Sequence, residues 1–225
     1  MPLIPEDELG IAIRNLFQTR GPLPVSHEAD PGEESPPDGG IPLETVLAGR
    51  RSVREFTGEA VAAGRLLDVL SLAAAFQARQ WPSARHGDAG LWTLIAAHRV
   101  DGIEDGLHIW EGTGEIRPAG TAVRPADPAA DATGAAAVVM ICGSVRHTGG
   151  PAYGGLLVRA GALGHAICLA ARTRGLDCRP FDGAGYEVTG IAGEVRAGHR
   201  HLFTVAIGHG ADEFPMPAAK ENVHD

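Results

Sequence analysis

The chain has 225 residues, 44% hydrophobic and 21% charged, which suits a globular protein with one sizeable core. Its formal net charge of −9 argues against general nucleic-acid or anionic-membrane binding. Cys142, Cys168 and Cys178 all sit in or beside apolar runs, an odd number without the spacing of a disulfide framework or a zinc site.

Those thiols are expected to be buried and free, in a reducing cytoplasm. No early apolar run has the pattern of a secretory signal, and no span approaches the roughly 20 apolar residues of a membrane helix. From Pro5 to Arg20 the spacing of Leu9, Ile13, Leu16 and Phe17 predicts a short helix, packed on its own domain or docked on a partner. Gly21 to Gly40, with its run PGEESPPDGG, reads as a flexible linker that completes an N-terminal segment over 1–40. The folded domain is expected over 41–210, followed by a polar, proline-bearing tail from Ala211 to Asp225.

Within the domain, Ile41 to Ala48 is expected to be helical and to lead into Gly49 and the turn Arg50-Arg51-Ser52-Val53-Arg54. Three guanidinium groups and a hydroxyl in five positions repel one another unless an anion joins them, and guanidinium forks match phosphate oxygens. A solvated basic helix end is the plainer reading of the same residues. Leu66 to Ala78 follows as a helix with Leu66, Leu67, Leu70 and Ala74 on one face, broken by Trp81-Pro82. Pro82 to Gly90 is expected to be a loop and Leu91 to Val100 a strand. Gly106 to Trp110 and Glu115 to Pro118 read as a hairpin over the turn Glu111 to Gly114.

Pro125 to Thr133 is expected to be a loop. The unbroken run Ala135 to Gly143 (AAAVVMICG) predicts a strand buried on both faces. Leu156 to Ala171 predicts a helix that is apolar nearly all round, with Gly155, Gly161 and Gly164 in or beside it to admit a close neighbour. Leu202 to Ile207 closes the sheet.

The ordered set of motifs resembles the nitroreductase family of FMN-dependent oxidoreductases. The arginine turn is similar to that family's RRSxR opening, and WPSARHGDAGLW from Trp81 to its flavin loop. DGLHIWEGTGEIRPA from Asp105 resembles the hairpin of the SagB-type branch, the azoline dehydrogenases of peptide natural-product pathways. GLDCRPFD and the last strand HLFTVAIGHG resemble the family's closing steps. The resemblance implies an α+β, nitroreductase-like fold, with a central mixed, mostly antiparallel sheet flanked by helices. It also implies a homodimer with a long buried central helix and FMN as cofactor.

By the same resemblance, Arg50, Arg51, Ser52 and Arg54 hold the flavin's phosphate, ribityl chain and pyrimidine edge. Pro82 and Ser83 reach the flavin from the other subunit, and Arg179, Pro180 and Phe181 pass over its ring system. His209 stands where the family carries a phosphate-binding cation. Azoline dehydrogenases place a Lys-Tyr pair before the long helix, whereas the matching positions here are His147 and Thr148. Lys220, the chain's only lysine, lies in the tail, so acid–base work is expected of His147 and Tyr153. His86 and His165 are further candidates. The implied activity is removal of hydride and proton from a peptide- or amino-acid-derived heterocycle. An NAD(P)H-dependent nitro or quinone reductase and a non-catalytic subunit of a peptide-modifying complex are the alternatives. The implied partners are a second copy of the chain, a small-molecule or peptide substrate and a biosynthetic enzyme.

Overall fold

The computed structural model describes residues 43–120, 134–144, 150–181 and 185–211. The expected N-terminal helix and linker, the Pro125–Thr133 loop, His147, Thr148 and Lys220 lie outside the described residues. The elements, in order, are α1 (Leu43–Gly49), β1 (Val61–Ala62), α2 (Ala63–Gln80), α3 (Ser83–His86), β2 (Trp92–Ala97), β3 (Val100–Asp101) and β4 (Gly106–Trp110). They continue with β5 (Arg117–Pro118), β6 (Ala137–Ser144), α4 (Gly150–Thr173), β7 (Asp177–Phe181), α5 (Gly185–Val195) and β8 (His199–Gly208).

The apolar run that predicted a doubly buried strand becomes β6, every residue of which is buried. It lies inside a six-stranded sheet of order β5-β4-β2-β6-β8-β7, in which every pairing is antiparallel. A mixed sheet was expected, but the pairings between its six strands are all antiparallel; parallel pairing among the described residues occurs in the two-residue β1–β3 contact and in an isolated bridge between Ser52 and Cys178. Alternation along the strands assigns side chains to two faces. Ile95, Ala97, Val139, Ile141, Val205 and Ile207 meet α2 and α4 in one core. Leu94, Ala96, Val138, Met140, Cys142 and Ala206 meet α5, Val53 and Phe56 in the other.

The expected strand Leu91–Val100 ends early because the chain bends at His98 and Arg99. Both of their N–H groups donate to the Ala136 carbonyl, at 3.0 Å each, which turns them away from the β2 ladder. Pro82 to Gly90 is not all loop, since α3 forms one helical turn after Pro82, whose φ of −55° already suits a helix start. The two-residue strands β1 and β3 were not foreseen, nor were β7 and α5. β7 contains a proline, which is tolerated because β7 is an edge strand. In α5, Gly190 and Gly193 weaken helix propensity, yet Val188, Ile191, Ala192 and Val195 recur at helical spacing and pack on the sheet.

The helix expected over Leu156–Ala171 is longer, running for 24 residues as α4. Leu156, Ala160, Leu163, Ile167 and Ala171 face the core, while Tyr153, Leu157 and Val158 are exposed, Val158 by 64%. In this chain alone it is not buried on all sides. Residues 153–173 are also long and apolar enough to cross a membrane by length and composition, with a mean hydropathy of 1.4, which corrects the expectation that no span approaches that length. Half of that window is buried within the protein, which is what a core helix requires. Gly164 earns its place, because a Cβ there would stand 2.4 Å from the Phe203 ring.

Candidate functional site

The residues after α1 are held by two anchors. Val53 and Phe56 are buried, and Arg50, Arg51, Ser52, Arg54 and Glu55 between and before them are exposed. Ser52 forms a parallel bridge with Cys178, and Val53 N–H donates to the Cys178 carbonyl at 3.3 Å. Phe56 forms an antiparallel bridge with Gly210, and Thr57 N–H donates to the His209 carbonyl at 2.8 Å. Ala211 N–H returns to the Glu55 carbonyl at 3.0 Å. The segment 52–57 thus runs between the start of β7 and the chain leaving β8.

This threading brings three sequence-distant groups of candidate residues together. Arg179 Nη1 donates to the Arg54 carbonyl at 3.5 Å, and its guanidinium lies 5.8 Å from the centre of the Phe181 ring. Pro180 and Phe181 pair with Val205 and Thr204 of β8. His209 joins through its backbone. Arg50, Arg51, Ser52 and Arg54 are all exposed on this segment, and guanidinium forks are donors of the kind that match phosphate oxygens.

Beneath this site sits a charge pair that the sequence did not single out. Arg172, in the last turn of α4, donates Nη1 to Asp177 Oδ1, and the Asp177 Oδ2 accepts the Gly210 N–H at 3.1 Å. Their side chains are 7% and 23% exposed. The C-terminal end of α4 favours the cation, so both the helix and the carboxylate hold it. The only sequence signal was a basic residue ending an apolar helix, five positions before an aspartate.

The thiols lie nearby. Cys142, Cys168 and Cys178 are free and buried, as expected. Cys178 Sγ reaches the Cys168 carbonyl at 3.7 Å, and the hydrogen bond between the two thiols, followed by burial, pushes the Cys178 thiol up. Burial pushes Cys142 up to about 12. The Cys168–Cys178 hydrogen bond pushes the Cys168 thiol down, but all three thiols are buried away from an incoming electrophile.

Pro82 and Ser83 belong to a different place. They line an open pocket of about 440 Å³ with Gln77, Trp81, Trp110 and Arg159, and none of the arginine-turn residues forms its walls. Arg159 Nη1 donates to the Gly87 carbonyl at 3.1 Å, and Gln77 Nε2 to the Arg159 carbonyl at 3.3 Å, so the loop after α3 is tied to α4. Tyr153 lies exposed in the first turn of α4, and His86 and His165 are exposed as well. The pocket's three tryptophans, Trp81, Trp92 and Trp110, and Arg159 were missed as a group because they converge from the end of α2, β2, β4 and α4, which no short window contains.

A model of the nitroreductase family matches residues 47–209. No curated protein sequence matches the chain. Among solved structures, a nitroreductase-type protein from Ralstonia eutropha is 17% identical with a TM-score of 0.60, over 80% of this chain and 88% of that one. An FMN-dependent nitroreductase from Clostridium difficile is 15% identical with a TM-score of 0.52, over 78% of this chain and 91% of that one. A nitroreductase-type protein from Anabaena variabilis is 20% identical with a TM-score of 0.56 over 74% of this chain, which covers only 38% of its length. At these identities the likeness concerns the fold.

Proposed function

The chain belongs to the nitroreductase family, and on that premise we propose that it is an FMN-dependent oxidoreductase working as a homodimer. The observation that carries the reading is the course of segment 52–57, from Cys178 to the His209 carbonyl, with the Arg179 side chain donating to the Arg54 carbonyl. Arg50, Arg51, Ser52 and Arg54 would hold the phosphate and the polar edge of the flavin, and Arg179, Pro180 and Phe181 would border its ring system. Bound FMN supplies the two-electron chemistry, and the protein's share is to bind, orient and manage protons. Each charge-assisted bond from the arginines contributes about 1.5–3 kcal/mol. The C. difficile structure, described as an FMN-dependent nitroreductase, agrees with this cofactor.

Within that class the reading is a SagB-type dehydrogenase that oxidises an azoline-like heterocycle. It is supported by the GLHIW hairpin, whose β4 and β5 pair through His108↔Pro118 and Ile109↔Arg117. His147 and Tyr153 are the proposed acid–base residues in place of the branch's Lys-Tyr pair. That same departure favours the second reading, an NAD(P)H-dependent nitro or quinone reductase. Pro82 and Ser83, apart from the arginine turn in one chain, would reach the flavin of a second copy.

The experiment is reconstitution with FMN. Purified protein is expected to be yellow and to release FMN rather than FAD on denaturation. Replacing both Arg50 and Arg54 by Ala should weaken FMN binding by about 10²–10⁴-fold, the equivalent of two charge-assisted bonds. Protein that stays colourless with excess FMN refutes the reading. Turnover of quinone with NADPH, against single-turnover oxidation of an azoline peptide, separates the two activities.

A further inference from the structure

Four segments of chain meet at the Arg172–Asp177 pair. Arg172 ends α4, and Asp177 begins β7. Arg172 Nη2 lies beneath Gly49, the residue before the arginine turn, where an added Cβ would be 3.5 Å from it. Asp177 Oδ2 holds the Gly210 N–H, directly after His209, and a Cβ on Gly210 would stand 2.8 Å from that oxygen. The pair therefore touches the backbone at both ends of the site, one residue from Arg50 and one from His209.

Stability alone is a poor account of it. A buried ion pair often contributes no more than a well-packed apolar pair, because both charges must leave water. Here the desolvation is also imperfectly repaid, since Arg172 Nε is buried without a partner among the described residues. What the pair does supply is geometry. Its two charges fix the end of a helix, the start of an edge strand and two glycine backbones relative to one another.

We propose that Arg172 and Asp177 are positioning residues that make this chain prefer FMN to riboflavin, by holding the arginine turn and the His209 segment at the spacing of a phosphate group. The inference rests on the flavin reading above and adds residues that do not touch the ligand. The two ligands differ by the phosphate alone, so the ratio of their affinities reports on the phosphate end of the site. A general loss of structure lowers both affinities or the melting temperature.

The test measures dissociation constants for FMN and riboflavin, with the melting temperature of flavin-free protein, for wild type, Asp177→Asn, Asp177→Glu and Arg172→Lys. Asparagine keeps an acceptor for Gly210 but loses the charge. Asp177→Asn is expected to weaken FMN binding by about 10–100-fold, the effect outer partners have on the ligand groups they orient, with riboflavin binding within about threefold of wild type. Asp177→Glu should restore most of the preference. A variant that melts earlier with the FMN-to-riboflavin ratio intact overturns the proposal, whether it is Asp177→Asn or, if that chain does not fold, Arg172→Lys. If wild type binds neither flavin, the flavin reading itself has failed. If it binds FMN and the variants keep the ratio, only the positioning role has.

Discussion

The Val53 N–H lies 3.3 Å from the Cys178 carbonyl, so the arginine turn is an added strand-like edge on β7. Because β7 is at the margin of the six-stranded sheet, its outer backbone groups need partners. Ser52 and Val53 supply one at Cys178, and the Val53 side chain is buried beside it. The cations are thereby held on the outside of a rigid sheet. Four consequences of the architecture can be measured.

Gly164→Ala should destabilise the protein by about 1–3 kcal/mol, as overpacking does in a well-filled core. The added methyl would stand 2.4 Å from the Phe203 ring. Urea unfolding of Gly164→Ala alone and combined with Phe203→Leu should show a smaller cost in the second background. Equal costs in the two backgrounds would mean that Phe203 is not the neighbour that matters.

No cysteine should react with a thiol reagent in the folded state, and three per chain should react after denaturation. Cys142 is held protonated up to about pH 12 by burial, and Cys178 is also pushed up. The Cys178 hydrogen bond instead lowers Cys168, so burial rather than protonation must shield that thiol, and its reaction should stay slow at pH 9 until the protein unfolds. Fast reaction of even one thiol in native protein contradicts this.

The apolar outer side of α4 should be covered by a second copy. Tyr153, Leu157 and Val158 are exposed there, and apolar side chains along a 24-residue helix suit an obligate interface. Light scattering should give about twice the 23.4 kDa chain mass. Val158→Glu, at a position 64% exposed, should leave the fold intact and give monomers. A wild-type monomer at micromolar concentration would leave this face without its occupant.

Glu111 should contribute a small, acid-sensitive stabilisation. It accepts from Arg117 at 2.7 Å and also from Arg196, which stacks 5.0 Å from the Trp92 ring centre. The Arg117 hydrogen bond, chiefly, holds its carboxyl below the ordinary range. A depressed folded pKa gives stability that is complete above the unfolded value of about 4.3 and lost as pH falls through the lower folded value. Glu111→Gln should therefore unfold at lower urea than wild type at pH 7, with the gap closing as the pH approaches 2. Because Glu111 is 45% exposed, solvent screening keeps the gap narrow, and added salt should narrow it further.

Much of this protein was legible in local pattern. The unbroken apolar run from Ala135 could only be a strand covered on both faces, and it became β6. The apolar periodicity after Leu66 located α2, but its fully buried face is Leu66, Val69, Leu70 and Ala73, with the expected Leu67 and Ala74 only partly buried at its edge. The density of arginine from Arg50 to Arg54 singled out the segment proposed above as the anion site. These are properties of neighbouring residues, and short-range sterics and hydrophobic periodicity act within such windows. The partners of that site could not be read in the same way. Arg54 and Arg179 are 125 positions apart, and what unites them is the register of β7 on β8 together with the burial of Val53 and Phe56. Arg172 and Asp177 are near in sequence, but a turn separates helix from strand, so their pairing depends on how α4 packs against β7. Sequence alone determined which segments are apolar and where the cations cluster. Tertiary structure decided which backbone those cations rest on, because register and packing follow from many weak contacts summed over the whole sheet.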